Sequence, residues 1–338
     1  MKIKTLATNL TLALAVLITW TVTGSAQRRR PATTTKPKPS LLLTLPQSDA
    51  VALIDVRQLL DQVIPKVFAA NSEKLAEANA EIEKFRIKTG LNLRSCDQVA
   101  VGMRYTYPSP GIAKIETVVL AQGTFDTAAF AAAGRAAASG QYREEKYEGR
   151  TIYVFTLDQQ GKLFGLLNFK LHELAVTALT NNVLALGTVT NVKAAVGAGK
   201  GSRGRNAELI ELASRDPEAI VGFAGTVSPA LLQSLKVGTD AVLKDLATIR
   251  QVYGSVSSSE KEIAMFLVGR TTSAASAQSL KATLTDLSQL GAFFVSQMAG
   301  ARGKLARTAL ANLKVTTVGI ELQLRTSIAH ADVVPLLR

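Results

Sequence analysis

The residues able to do chemistry in this chain are few. It has two histidines, His172 and His330, and one cysteine, Cys96. Hydrolytic and metal chemistry need such side chains gathered in one place. One histidine in each half builds no metal site by local spacing, and KLHELAV around His172 lacks the second histidine of a zinc helix. His172 is expected at the start of a strand and His330 in the last helix, both at the surface or a strand edge. Cys96, in LRSCDQVA, has no histidine near it in sequence, whereas a catalytic thiol needs one in space. It is expected to be half-buried and structural. Ser258-Ser259-Glu260-Lys261 satisfies S-x-x-K, which penicillin-binding enzymes carry at a helix start with S-D-N and K-T-G elsewhere. Here it falls in a β-turn, S-D-N is absent, and Lys88-Thr89-Gly90 ends a helix upstream of the serine. No G-x-S-x-G elbow occurs. Glu144 and Glu145 adjoin in YREEKYEGR, which reads as a solvated hairpin edge. No catalytic residue, metal ligand or cofactor site is assigned.

GAGKGSRGRN, residues 197–206, has glycines that could let backbone N–H groups converge on a phosphate. A P-loop requires lysine directly before a hydroxyl residue, but Lys200 is followed by Gly201. The glycine spacing also misses G-x-G-x-x-G. The stretch joins two helical patterns, TNVKAAV and AELIELASRD, whereas both motifs join a strand to a helix. It reads as a solvated connection. Lys200, Arg203 and Arg205 remain a candidate anion contact.

Further back, the positioning elements begin with an export signal. Lys2 and Lys4 precede thirteen apolar or small residues, Leu10 to Val22, and Gly24 and Ala26 suit a cleavage site before Gln27. Residues 1–26 are therefore expected to be a signal peptide cleaved after Ala26. This predicts a periplasmic or secreted protein with no transmembrane span in its mature chain. Residues 27–45 read as a basic Pro/Thr-rich disordered tether. The formal net charge is +13. Losing Lys2 and Lys4 leaves +11, and the five cations of QRRRPATTTKPKPS leave about +6 for the folded remainder. Arg28, Arg29 and Arg30 could touch an anionic polymer or lipid. Charge held in a tether, with few aromatics, argues against specific nucleic-acid recognition.

The folded part carries an internal repetition. ETVVLAQGTFDTAAFAAAG from Glu116 and EIAMFLVGRTTSAASAQSL from Glu262 share a glutamate, an apolar run and a glycine, Gly123 or Gly269, at one spacing. Asp126 or Thr127 is expected to cap the helix that follows the first, and Thr272 or Ser273 the second. Leu75, Ala78, Ile82 and Phe85 fall on one face of a helix that stops at Gly90. GIELQLR alternates as a half-buried strand, with Ile320, Leu322 and Leu324 inward. The predicted fold class is α+β, in two similar halves over residues 46–200 and 201–338. Each is a mostly antiparallel sheet covered by helices, in the order strand, helices, two strands, helix, two strands, helix.

Signal, basic spacer and duplicated half, with DAVALIDV, VVLAQGTFD and YEGRTIYVF, resemble uncharacterised exported proteins of Gram-negative soil bacteria. The resemblance implies an envelope location and no reaction. The expected function is a non-enzymatic module that binds or scaffolds an envelope protein or ligand. The alternatives are a hydrolase whose site assembles only in three dimensions, and anionic-polymer or membrane-surface binding through the tether.

Overall fold

The computed structural model describes residues 41–109, 112–137, 142–163, 167–198, 206–235 and 240–336. The chain is mixed helix and strand with extensive antiparallel sheet, as the pattern predicts. It divides into two compact units. One comprises Leu41–Thr106 and Ile115–Arg215, the other Tyr107–Lys114 and Asp216–Leu337.

The first unit opens with a 3-10 turn, Leu41–Thr44. Leu41, Leu42 and Leu45 are buried, so the last residues assigned to the tether belong to the core. Three leucines in LLLTL have too much apolar area to stay in water. β1 (Ala50–Asp55) feeds a helical segment of Val56–Gln58, a π-turn Leu59–Val63 and Ile64–Val67, and then α1 (Ser72–Thr89). Asn71 caps α1 by accepting from the Lys74 N–H at 3.0 Å, and Gly90 ends it in the left-handed conformation at φ 72°. Of the predicted face, Ile82 is the residue that becomes buried, against Val56, Leu60 and Cys96.

The unit continues with β2 (Cys96–Ser109) and β3 (Ile112–Gly123), except for their ends within Tyr107–Lys114, and then α2 (Thr127–Ala137), β4 (Tyr142–Tyr147), β5 (Arg150–Leu163), β6 (Leu167–Thr180), β7 (Val183–Gly187), α3 (Val189–Ala198) and α4 (Ala207–Ala213). YPSPGIAK, rich in turn-forming residues, is mostly strand, since β2 runs to Ser109 and β3 starts at Ile112. Four strands, not the predicted two, lie between α2 and α3. The extra pair is the hairpin β4–β5, closed by Glu148 (φ 46°) and Gly149 (φ 75°). The spatial order is β1-β2-β3-β7-β6-β5-β4, with β1–β2, β3–β7, β7–β6, β6–β5 and β5–β4 all antiparallel. β5 is apolar on both faces because both are covered. Phe155 and Tyr153 pack with Phe130 of α2, while Ile152 and Val154 pack with Val192 of α3.

The second unit runs β8 (Val221–Thr226), α5 (Pro229–Leu235), α6 (Asp240–Leu246), β9 (Ile249–Ser258), β10 (Glu262–Thr271), α7 (Ala274–Ser296), α8 (Gly300–Ala311), β11 (Lys314–Val318), β12 (Glu321–Ala329) and α9 (His330–Val333). The last helix, expected to hold His330, begins only at that residue, and the chain before it is strand to Ala329. Its sheet order is β11-β12-β10-β9-β8. Counted from β8, the strands stand in the order first, second, third, last, penultimate. β1, β2, β3, β7 and β6 of the first unit stand in that same order. The capping residues are Asp126, accepting from Ala128 and Ala129 N–H, and Ser273, accepting from Ser276 N–H. Leu280 and Leu284 of α7 cover Ile249, Leu322 and Leu324. Ile320, expected inward, lies in the β11–β12 turn and is exposed.

Candidate functional site

Lys200, Arg203, Arg205, Arg28, Arg29 and Arg30 lie outside the described residues, as does the glycine-rich stretch from 199 to 205. His172 lies within β6 rather than at its start. Cys96 sits in the core of the first unit among Val56, Leu60 and Ile82. Burial, with a smaller contribution from the Asp97 charge, pushes its thiol up to about 11. It is protonated at neutral pH and is no nucleophile there. Among the described residues, no group of three or more His, Cys, Asp or Glu is placed to hold a metal ion.

His330 corrects the expectation of a surface histidine. It is buried, and its Nε2 stands 3.1 Å from Ser258 Oγ. Ser258 is the serine of the S-x-x-K match, so the sequence flagged the right hydroxyl through the wrong motif. Nothing in the spacing of 258 and 330 announced the pair, because β10, α7, α8 and two further strands separate them. An acyl-transfer serine also needs backbone donors aimed at the developing oxyanion. The amides after Ser258 are used inside the turn: Ser259 N–H donates to Glu262 O, and Lys261 and Glu262 N–H donate to Ser259 Oγ. The His330 N–H donates to Lys261 O at 3.1 Å. The pair fastens the start of α9 to the β9–β10 hairpin.

On the sheet face opposite α7, Glu321 accepts from Tyr253 Oη at 3.0 Å and Arg270 Nε at 3.4 Å. Arg270 Nη1 donates to Gln251 at 3.0 Å, and the Arg325 guanidinium stacks 4.3 Å from the Phe266 ring centroid. These are mutually satisfied contacts, and they leave little for a ligand to take.

The feature that stands out as unsatisfied is apolar. At the turn between α7 and α8, Phe293 and Phe294 are 63% and 66% exposed, and Met298 is 45% exposed. Leu287 is exposed two turns earlier on α7. The two phenyl rings meet edge-on at 5.7 Å and have no core around them. The backbone beneath them is nevertheless tied down. Arg307 Nη1 donates to Met298 O at 2.7 Å and to Val295 O at 3.2 Å, a cation placed on the last carbonyls of α7. Gly303 lets α8 approach so closely that a Cβ there would lie 2.0 Å from Met298 O. The local sequence signal was GAFFVSQMAG, a paired phenylalanine beside glycines, which α+β pattern reading absorbs into a core helix.

No helix among the described residues is long and apolar enough to cross a membrane. No known protein family matches the chain, and no curated protein matches it. Among solved structures the chain is similar to crystal forms of TP0453. Form III has a TM-score of 0.46 at 9% identity, covering 90% of this chain and 99% of that one. Form I has a TM-score of 0.42 at 10% identity, with the same coverage. Nothing about function follows from likeness at that level.

Proposed function

We propose that the protein is an exported, non-enzymatic binding or scaffolding module of the bacterial cell envelope, built from a duplicated α+β half, that engages a partner through the α7–α8 tip. The observation that carries the proposal is the exposed Phe293–Phe294 pair on a backbone fixed by Arg307. Two exposed aromatics bury much apolar area on contact, and a fixed backbone lowers the ordering cost of binding. The shared strand order of the two units supports the duplication. The export signal and basic spacer support the location.

The experiment is native mass spectrometry of the protein recovered from its own envelope fraction, with Phe293→Ser/Phe294→Ser alongside. The expected result is a mature mass beginning at Gln27 with a bound chain in the wild type and without it in the variant. Equal occupancy in both would overturn the role of the tip. A second reading, a serine hydrolase, rests on the 3.1 Å Ser258–His330 contact. It predicts labelling of Ser258 by a fluorophosphonate probe and loss of labelling in His330→Gln.

A further inference from the structure

β11 ends the sheet of the second unit and β4 that of the first, and among the described residues each has a hydrogen-bonded neighbour on one side only. An open strand edge is a template for another chain unless its side chains oppose the pairing. The two edges differ in that respect.

β11 and β12 are joined by the two-residue turn Gly319–Ile320, which makes Val318 and Glu321 a hydrogen-bonded pair. The alternation of an antiparallel ladder then directs the backbone groups of Lys314, Thr316 and Val318 toward β12. The N–H and C=O of Val315 and Thr317 point outward. A second copy related by a twofold axis must set outward groups against outward groups, so one residue always stands on the axis opposite itself. In the middle of β4 every residue that could take that position is charged: Arg143, Glu144, Glu145 or Lys146. Two of these charges are anchored at the edge, Arg143 by Glu173 and Glu144 by Arg135, both at 3.0 Å. β4 therefore meets its own copy with like charges, which disfavours the pairing.

β11, KVTTV, passes the same test. With Thr316 on the axis, its exposed, uncharged side chain faces its own copy. Val315 stands opposite Thr317 of the second copy, a β-branched pair of nearly equal shape, and the outward N–H and C=O groups of both close the ladder. Lys314 falls opposite Val318, which is 60% exposed. The two Lys314 positions are then about 13 Å apart along the strands, beyond the screening length of about 8–10 Å. The helix above β11 raises no charge against its copy either. Gln278 Nε2 donates to Thr317 Oγ1 at 2.8 Å, which marks the side of α7 that overhangs β11. Ala282, Thr285 and Gln289 continue that side at helical spacing, and all are exposed and uncharged.

We propose that the protein self-associates as a twofold dimer through β11, on a surface other than the α7–α8 tip. The two second-unit sheets join antiparallel into one, with Thr316 on the axis.

The test is sedimentation equilibrium of the full mature protein, wild type against Thr316→Lys and Thr316→Glu. Both substitutions fall at an exposed position, and thermal melts confirm that the variants are folded. The expected result is a concentration-dependent dimer in the wild type, weakened by about tenfold in either variant alone because like charges then meet on the axis. Mixing the two variants restores it, since a lysine then meets a glutamate. Oxidation supplies a second readout. Thr316→Cys forms an intermolecular disulfide, because opposite residues of a non-hydrogen-bonded pair stand about 4.5 Å apart at Cα. Lys314→Cys, on the same face but four residues out of register with its copy, does not. Cys96 is buried and adds no crosslink. A wild type that is monomeric at every concentration, a dimer indifferent to both charges, a mixture no more dimeric than its components, or crosslinking through Lys314→Cys as fast as through Thr316→Cys overturns the inference.

Discussion

Raising the pH should weaken the fold through Cys96 in a way a single variant can isolate. Its thiol lies 3% exposed among Val56, Leu60 and Ile82, and burial moves it from an ordinary 9.0 to about 11. The folded state therefore holds its proton more tightly than the unfolded chain. Below about pH 9 both states are protonated and the group contributes no pH dependence. Between about 9 and 11 the unfolded chain gives up its proton first, so stability falls as pH rises, and the loss levels off above the folded value. At about 1.4 kcal/mol per unit, a gap of this size amounts to about 2–3 kcal/mol in full and about 2 kcal/mol by pH 10.5. Tyrosines and lysines titrate in the same range, so the quantity to measure is a difference. Urea unfolding of the wild type and Cys96→Ala is followed from about pH 7.5 to about pH 10.5. The variant starts lower by a pH-independent cavity cost of about 1–2 kcal/mol. The two curves then converge or cross as the wild type loses stability. Curves that stay parallel across the range would refute the buried, protonated thiol.

Five further outcomes are expected. Gly123→Ala should cost about 3 kcal/mol or more, because its Cβ would lie 2.1 Å from Ser95 O and 2.8 Å from Cys96 Cα. Gly269→Ala, whose Cβ would meet Ile249 Cδ1 at an ordinary 3.6 Å, should stay within about 1 kcal/mol; urea midpoints check both. Glu148→Asn should raise the melting temperature, gaining about 0.5–1 kcal/mol, because φ 46° at the β4–β5 turn suits asparagine better than glutamate. Arg307→Gln should cost about 1 kcal/mol and speed hydrogen exchange at residues 295–299 before the rest of α7, since the cation on its final carbonyls is lost. Deleting residues 27–40 should abolish any salt-sensitive retention on heparin, and unchanged retention would exclude the tether as an anion site.

What the sequence made legible is what local chemistry decides. Gly90 as a helix stop, Asp126 and Ser273 as caps, and the inward alternation of Leu322 and Leu324 depend on neighbours within a few residues. The α+β class followed from the same signals. The hairpin β4–β5 is half legible: YREEKYEGR reads as a hairpin edge, but the IYVF that follows is one apolar run because both faces of β5 are covered. A strand buried on both sides has no period to betray it. His330 was misplaced because its burial depends on Ser258 and Lys261, contacts that only the closed sheet creates. The Phe293–Phe294 tip was hidden for the opposite reason. Its residues have core composition but no core, and exposure cannot be read from residue type.

The equal spacing of Gly123 and Gly269 invites the inference that positions matched in sequence keep matching jobs. Their surroundings argue otherwise. Gly123 is pressed against the backbone at Ser95 and Cys96, while Gly269 faces the flexible end of Ile249. The same divergence appears at larger scale. Each unit keeps five strands in one spatial order and adds an element of its own, β4–β5 in the first and α8 in the second. The exposed aromatic pair sits in the last turn of α7, beside that added α8. A shared frame that must fold is constrained by its packing, whereas an added hairpin or helix at its edge is free to carry a surface that packing alone would bury. Under the binding role proposed above, Phe294→Ser should change what the protein holds while leaving its melting temperature within a few degrees of wild type.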